Sequence, residues 1–480
     1  MHQEQPGEVL AKKYCGTCHV FPEPSLLNKS GWKDNILPPM AKLLGIDYMY
    51  DLPFTIKKQP TVSLEEWREI AAYYIKQAPD SMPLQDRPPI KDFTNLFSVK
   101  GISTPAGEFP ASSYVKIDPA NHWIYQGNAF DSMLYIYDAS LKKISNYNIH
   151  GVLIDMDFNH SSDQPGERNG ILTNIGIMNP NDLKTGTVDS FMIGKNGFVS
   201  YFAKLLDSMP RPVQTISFDL DKDGKQDYLV CGFGNHTGSL YWVTKEKNGM
   251  SQQKVLRGLP GAIKAYIDDF NKDGLPDIMV LMAQAEEGIY LFLNKGNGSF
   301  ETKELLRFPP IYGSSYFELD DFNGDGYKDI LYTCGDNADY TGRFLKNYHG
   351  VYIFLNDGKN NFTRKYFFPI HGCYKAIARD FDKDGDLDIA TISYFPDTTR
   401  QPKESFVYLE QTSPFQFKAS TIKEYDEGRW LTMDVGDLDG DGDDDIILGS
   451  LVPPIRAFQD YWLKSSTHKG QLLLLENKTR

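Results

Sequence analysis

The chain has 480 residues, 24% of them charged and 41% hydrophobic, and a formal charge of −14. The length is too great for one small core and predicts two or more domains, or one large repetitive one. The acidic balance argues against nucleic acid as a partner, which needs a basic face. No apolar run is long enough to cross a bilayer. The opening MHQEQPGEVL lacks the apolar stretch of a signal peptide and reads as a trimmed mature end. Aromatic residues at 13%, with 28 Tyr and 29 Phe, suit a strand-rich chain.

Residues 7–19 read as a short helix running into YCGTCHVF. Cys15, Cys18 and His19 form Cys-x-x-Cys-His, the attachment pattern of c-type haem. The two thiols suit thioether bonds to one porphyrin, and the adjacent imidazole suits the iron's proximal position. A zinc site would want two more ligands at short spacing, and no second Cys-x-x-Cys exists. A thioredoxin-like pair would follow a strand in a βαβ unit, which this region lacks. SLEEWREIAAYYIKQAP predicts a second helix. Ser63 and Glu66 make a capping box, Trp67, Ile70, Ala71 and Tyr74 share one face, and Pro79 ends it. The other cysteines, Cys231, Cys334 and Cys373, are scattered and read as buried, although a disulfide between two of them is open.

A helix before the motif and an aromatic-faced helix at the end resemble a small class I cytochrome c over about residues 7–79. That resemblance implies one covalent haem c and a methionine as sixth ligand before the last helix. Met40, after an extended ILPP approach, is preferred over Met49; Met82 lies beyond the helix.

The Pro-rich stretch 80–92 reads as a linker. Beyond it, five nine-residue stretches follow Asp-x-Asp/Asn-x-Asp-Gly-x-x-Asp: DLDKDGKQD, DFNKDGLPD, DFNGDGYKD, DFDKDGDLD and DLDGDGDDD, at intervals of 50 to 59 residues. Alternate carboxylates around a Gly at position 6 are the pattern of a calcium loop. The predicted ligands are Asp219, Asp221, Asp223 and Asp227; Asp269, Asn271, Asp273 and Asp277; Asp321, Asn323, Asp325 and Asp329; Asp380, Asp382, Asp384 and Asp388; and Asp437, Asp439, Asp441 and Asp445. Position 12, a Glu in an EF-hand, is Val230, Val280, Tyr332, Thr391 or Leu448 here. Strands flank each loop instead, such as AIKAYID before and DIMVLMA after. About five Ca²⁺ would offset much of the acid; without them the packed carboxylates would repel.

Four strands per unit predict propeller blades. The repeats resemble the FG-GAP/VCBS family, closer to VCBS because the flanking FG and GAP elements are mostly missing. The whole resembles bacterial secreted VCBS-repeat proteins with an N-terminal cytochrome c domain. SYVKIDPANHWIYQG and GVLIDMDFNHSSD add two degenerate units, for seven blades. TNLFSVKG (94–101) is expected to supply the last blade's fourth strand and close the ring. The predicted architecture is therefore a small all-α cytochrome c-like domain (1–79), a linker (80–92) and an all-β calcium-binding propeller (93–480).

The face opposite the acid loops gathers Arg211, Tyr312, His371, Lys375, Arg429 and Trp430 and long excursions, which suit recognition. No nucleophile elbow, catalytic triad or Gly-rich phosphate loop stands out. The leading expectation is an extracytoplasmic electron-transfer protein, periplasmic or secreted, with a redox partner protein. One alternative is a propeller that oxidises a small substrate, such as a sugar, and passes electrons to the haem. Another is a carbohydrate-binding or adhesion protein.

Overall fold

The computed structural model describes all residues except 1–4, 50–51, 56, 58, 84, 86, 106–107, 159–166, 246–250, 341–343, 454–469 and 480. Seven four-stranded antiparallel units follow one another from residue 112 and make a seven-bladed β-propeller. Blades 1 to 6 span 112–148, 153–209, 212–257, 262–307, 314–369 and 373–421. Blade 7 takes three strands from 430–477 and its fourth, Phe97–Ser103, from the other end of the chain. That strand pairs antiparallel with Gly470–Asn477, Phe97 opposite Asn477 and Leu473 opposite Gly101. The expected closure is therefore present, and it removes two open sheet edges. A two-residue strand, Asp92–Phe93, adds in parallel to the outer strand of blade 6.

The first strand of each blade lies innermost. Six blades carry a register shift between its first and third residues, as at Ala262/Lys264 and Ser314/Tyr316. In blade 2 the shift falls between Thr173 and Asn174 on the partner strand. A bulge there bends the inner strand, as bulges do. An inner strand is also an edge strand, so its outward backbone groups need partners. They receive them from the preceding blade. Tyr114 bonds Met156, Asp155 accepts from Thr215 N at 3.2 Å, and Gln214 accepts from Ala265 N at 2.7 Å. Tyr266 donates to Phe317 O, Glu318 accepts from Ala378 N, Lys375 donates to Met433 O, and Asp434 accepts from Ile117 N. All seven junctions carry such a side-chain brace around the axis.

The N-terminal segment holds α1 (Pro6–Cys15), α2 (Leu37–Leu43) and α3 (Leu64–Gln77), with a strand pair Ile46–Met49 and Leu52–Thr55 between the last two. The capping box of Ser63 and Glu66 forms as expected. A separate all-α domain is not evident. Ala11, Trp32, Trp67, Ile70 and Tyr74 form one core with Ile311 and Tyr348 of the propeller. Helices this short bury too little surface alone, and the propeller supplies the rest. Ile311 precedes blade 5 and Tyr348 lies between its second and third strands, so the segment docks on the face opposite the acid loops. The ILPP approach is helical rather than extended: a π-helical turn, Gly31–Ile36, runs directly into α2, whose first turn holds Pro38. Pro38 has no N–H to bond back into that preceding turn, which fits the irregular helix just before it.

The stretch 80–92 is fastened to the propeller rather than hanging between two bodies. Asn347 donates to Pro83 O, Lys403 donates to Lys91 O, and Ile90 is 7% exposed in a core shared by blades 5 and 6. Arg87 donates to Glu404 at 2.9 Å and to His371 Nδ1 at 2.8 Å, with the ion-paired side chains 6% and 2% exposed. An open side cleft of about 510 Å³, lined by Pro88, Phe367 and Phe417 among others, runs alongside.

Candidate functional site

Cys15 ends α1, and Gly16 and Thr17 carry the turn to Cys18 and His19. Both thiols are free. Cys15 is partly buried against the N-terminal core, and burial pushes its thiol up to about 11 despite a hydrogen bond with Tyr74. Cys18 is exposed. His19 Nδ1 lies 3.0 Å from the Val20 carbonyl oxygen, which can only accept, so Nδ1 carries the proton and Nε2 keeps its lone pair. Burial lowers the His19 pKa and favours the neutral ring. Tyr74, its ring tilted against Trp32 at 4.3 Å and its hydroxyl donating to Pro22 O, forms the wall behind the motif. Met40, on α2, packs against this same core. The Met49 side chain lies outside the described residues.

The five acid loops all join the first and second strands of blades 3 to 7 and so share one face. Glycine at position 6 has positive φ in each, 83° at Gly224 and 100° at Gly385, which lets its N–H turn inward to the first aspartate. Three loops bring carboxylate oxygens within 4.8 Å of one another: Asp219, Asp221 and Asp227; Asp380, Asp382 and Asp384; Asp437, Asp439 and Asp441. In the other two, Asn271 donates to Asp273 and Asn323 to Asp325, an amide doing part of the charge balancing. The ninth-position aspartates have a second task. Asp277, Asp329 and Asp445 accept from the second residue of the loop and from the end of the blade's third strand. Asp227 accepts from Leu220 N and Trp242, Asp388 from Tyr408 and Gln411 N. Burial raises their pKa values, to about 6 at Asp329 and about 7 at Asp388 and Asp445. Sequence spacing had not singled out Asp443, at position 7 of the last loop. It is 3% exposed, and burial and the neighbouring Asp441 push its pKa up to about 6.

On the opposite face, the six residues picked out by sequence are mostly structural. Arg211 is 7% exposed and clamps Gly234 O and Met178 O. Trp430 is fully buried in the blade 6–7 core and donates to Tyr425 O. His371 is held by Arg87, and Lys375 braces blade 6 to blade 7. Arg429 lies 3.9 Å over Tyr394 and donates to its carbonyl. Tyr312 stacks on Tyr348 at 4.4 Å, beneath the helical segment. The last long excursion falls largely on 454–469, outside the described residues. Sequence reasoning also missed a buried group under the helical segment: Lys346, 1% exposed, donating to Ile311 O, with Glu287 pushed up to about 7 by burial and His349 Nε2 without a hydrogen-bond partner among the described residues. Single charges between long strands leave no spacing signal.

The FG-GAP-like repeat matches residues 219–280 and 269–332, the acid loops of blades 3 to 5. No curated protein matches the chain. Among solved structures, the chain is similar at 11% identity to the Neurospora crassa Pan2 WD40 domain. The match covers 75% of this chain and 94% of that one, with a TM-score of 0.46. A luciferin-regenerating enzyme matches at 11% identity over 79% of this chain and 95% of that one, TM-score 0.37. Residues 219–332 carry the FG-GAP-like repeats, and they lie within a seven-bladed propeller, a scaffold suited to binding a ligand or partner. Among the described residues, no helix is long and apolar enough to cross a membrane.

Proposed function

We propose that the chain is an extracytoplasmic electron-transfer protein. Cys15 and Cys18 would hold one haem c covalently, His19 and Met40 would hold its iron, and calcium would fasten the propeller that carries it. The observation that carries the reading is the state of the motif. Two unpaired thiols sit on one turn at a helix end, and the next residue is a histidine whose Nδ1–H is engaged while Nε2 is left available, as a metal-bound imidazole requires. A redox dithiol would instead call for a lowered thiol pKa, and burial moves Cys15 the other way. Bound haem supplies reversible one-electron chemistry. The chain's own residues would orient the ring and exclude water: Tyr74, Trp32 and Phe21 pack behind the motif, and the 80–92 stretch beyond α3 is fastened to blades 5 and 6.

Calcium is supported by the loops themselves. Asp443 is a buried carboxylate pushed up to about 6 by burial and by the neighbouring Asp441, a costly arrangement that a cation relieves. Export fits covalent haem attachment, which takes place outside the cytoplasm.

The test of the haem reading is a denaturing gel stained for haem, run on protein made in a host that matures c-type cytochromes. Colour should stay on the chain and disappear in Cys15→Ser/Cys18→Ser. A colourless band from the wild type would refute it. In the oxidised protein, Met40→Ala should abolish the weak far-red sulfur-to-iron band; its survival would move the ligand to another residue.

A further inference from the structure

A cavity of about 320 Å³ opens at the acid-loop end of the central channel. Its charged lining comes from four blades: Lys116 and Asp118 from blade 1, Asp157 and Arg168 from blade 2, Arg379 from blade 6 and Asp434 from blade 7. Met156 and Phe158 add an apolar wall. The site is on the face away from the helical segment and does not depend on a haem.

The three cations and three carboxylates cancel. Arg168 and Asp118 close an ion pair at 2.5 Å with side chains 12% and 2% exposed, and Arg379 pairs with Glu318 at 3.1 Å. Asp157 and Asp434 brace the neighbouring blades, accepting from Ser217 N and Ile117 N. Lys116 differs. Its ammonium sits 5.5 Å from the Phe158 ring centroid and, among the described residues, has no hydrogen-bond or ion-pair partner. A lining without net charge gives little return for stripping water from an ionic ligand. It does offer fixed donors and acceptors close together, which suit hydroxyl groups, since each hydroxyl can both donate and accept. The volume stands at the lower end for small-molecule pockets and admits one ring rather than a chain of them.

We propose that this cavity binds a neutral polyol the size of one sugar ring, with the Lys116 ammonium donating to ligand oxygens and the Asp434 carboxylate accepting from its hydroxyls. The reading goes beyond electron transfer and gives the propeller its own small-molecule site.

The test is titration calorimetry on the full chain with calcium present. The probes are glucose, galactose, mannose, xylose and myo-inositol, with gluconate and inorganic phosphate as charged probes. At least one neutral probe should bind saturably, one per chain. Lys116→Met and Asp434→Asn, whose amide oxygen still accepts from Ile117 N, should each weaken it tenfold or more. Phe417→Ala, in the separate side cleft, should leave it unchanged. Melting curves identify any variant that fails to fold, and Asp434→Asn then decides if Lys116→Met is lost. No saturable neutral binding, binding of the charged probes alone, affinity unchanged in Asp434→Asn, or loss in Phe417→Ala would each overturn the proposal.

Discussion

Arg87→Met tests whether the 80–92 stretch is part of the propeller. The substitution keeps the apolar stem and removes the guanidinium that meets Glu404 at 2.9 Å and His371 at 2.8 Å. Glu404 is 1% exposed, so a carboxylate left without its cation there should cost about 3–5 kcal/mol. The group can escape by taking a proton, which gives the effect a pH signature. With Arg87 in place, burial already holds the Glu404 pKa at about 7, with Arg87 pulling it down; without Arg87 it moves higher still. Above pH 7 the wild type carries the ionised group and the variant bears the full loss. Below that, both states are protonated and the difference shrinks. Guanidinium unfolding at pH 6 and pH 8.5 measures it, and Glu404→Gln in the Arg87→Met background should recover most of the loss. A deficit under about 1 kcal/mol at pH 8.5, or one equal at both pH values, would show that the contact contributes no more than an exposed pair.

Other outcomes follow from the same contacts. Val99→Pro, in the closing strand opposite Leu475, should lower the melting temperature and make blade 7 the first site of proteolysis; a wild-type digestion pattern would contradict the closure. Tyr348→Ala removes the ring beneath the helical segment and should cost about 3–5 kcal/mol, with a shift in tryptophan fluorescence as Trp32 becomes exposed. Chelation should lower the melting temperature, by a loss of about 2.7 kcal/mol per site held at a hundredfold excess over Kd; identical melts with and without EDTA would end the calcium reading. Glu287→Gln keeps the acceptor for Ser314 N but cannot ionise. Its stability relative to wild type should rise between pH 4.5 and about 7, because the wild type bears the cost of ionising a buried acid over that window, and level off above it.

The sequence by itself determined the repeats. Position-specific residues recur: a glycine that must adopt positive φ, alternating aspartates and period-two strands. Each is local chemistry, visible in a nine-residue window; the count of seven needed the strand rhythm of two degenerate units as well. The α3 capping box was legible for the same reason. What only the tertiary structure decided concerns groups brought together from distant positions. Lys375 and Trp430 look alike in sequence as polar or aromatic residues near a loop, yet one braces two blades and the other is fully buried. The difference depends on which neighbour lies across the junction. Arg87 finds Glu404 across 317 positions, and the helical segment lies on one face because Ile311 and Tyr348 complete a core its short helices cannot close alone. Spacing encodes contacts within a blade; contacts between blades depend on ring closure, which no local pattern carries.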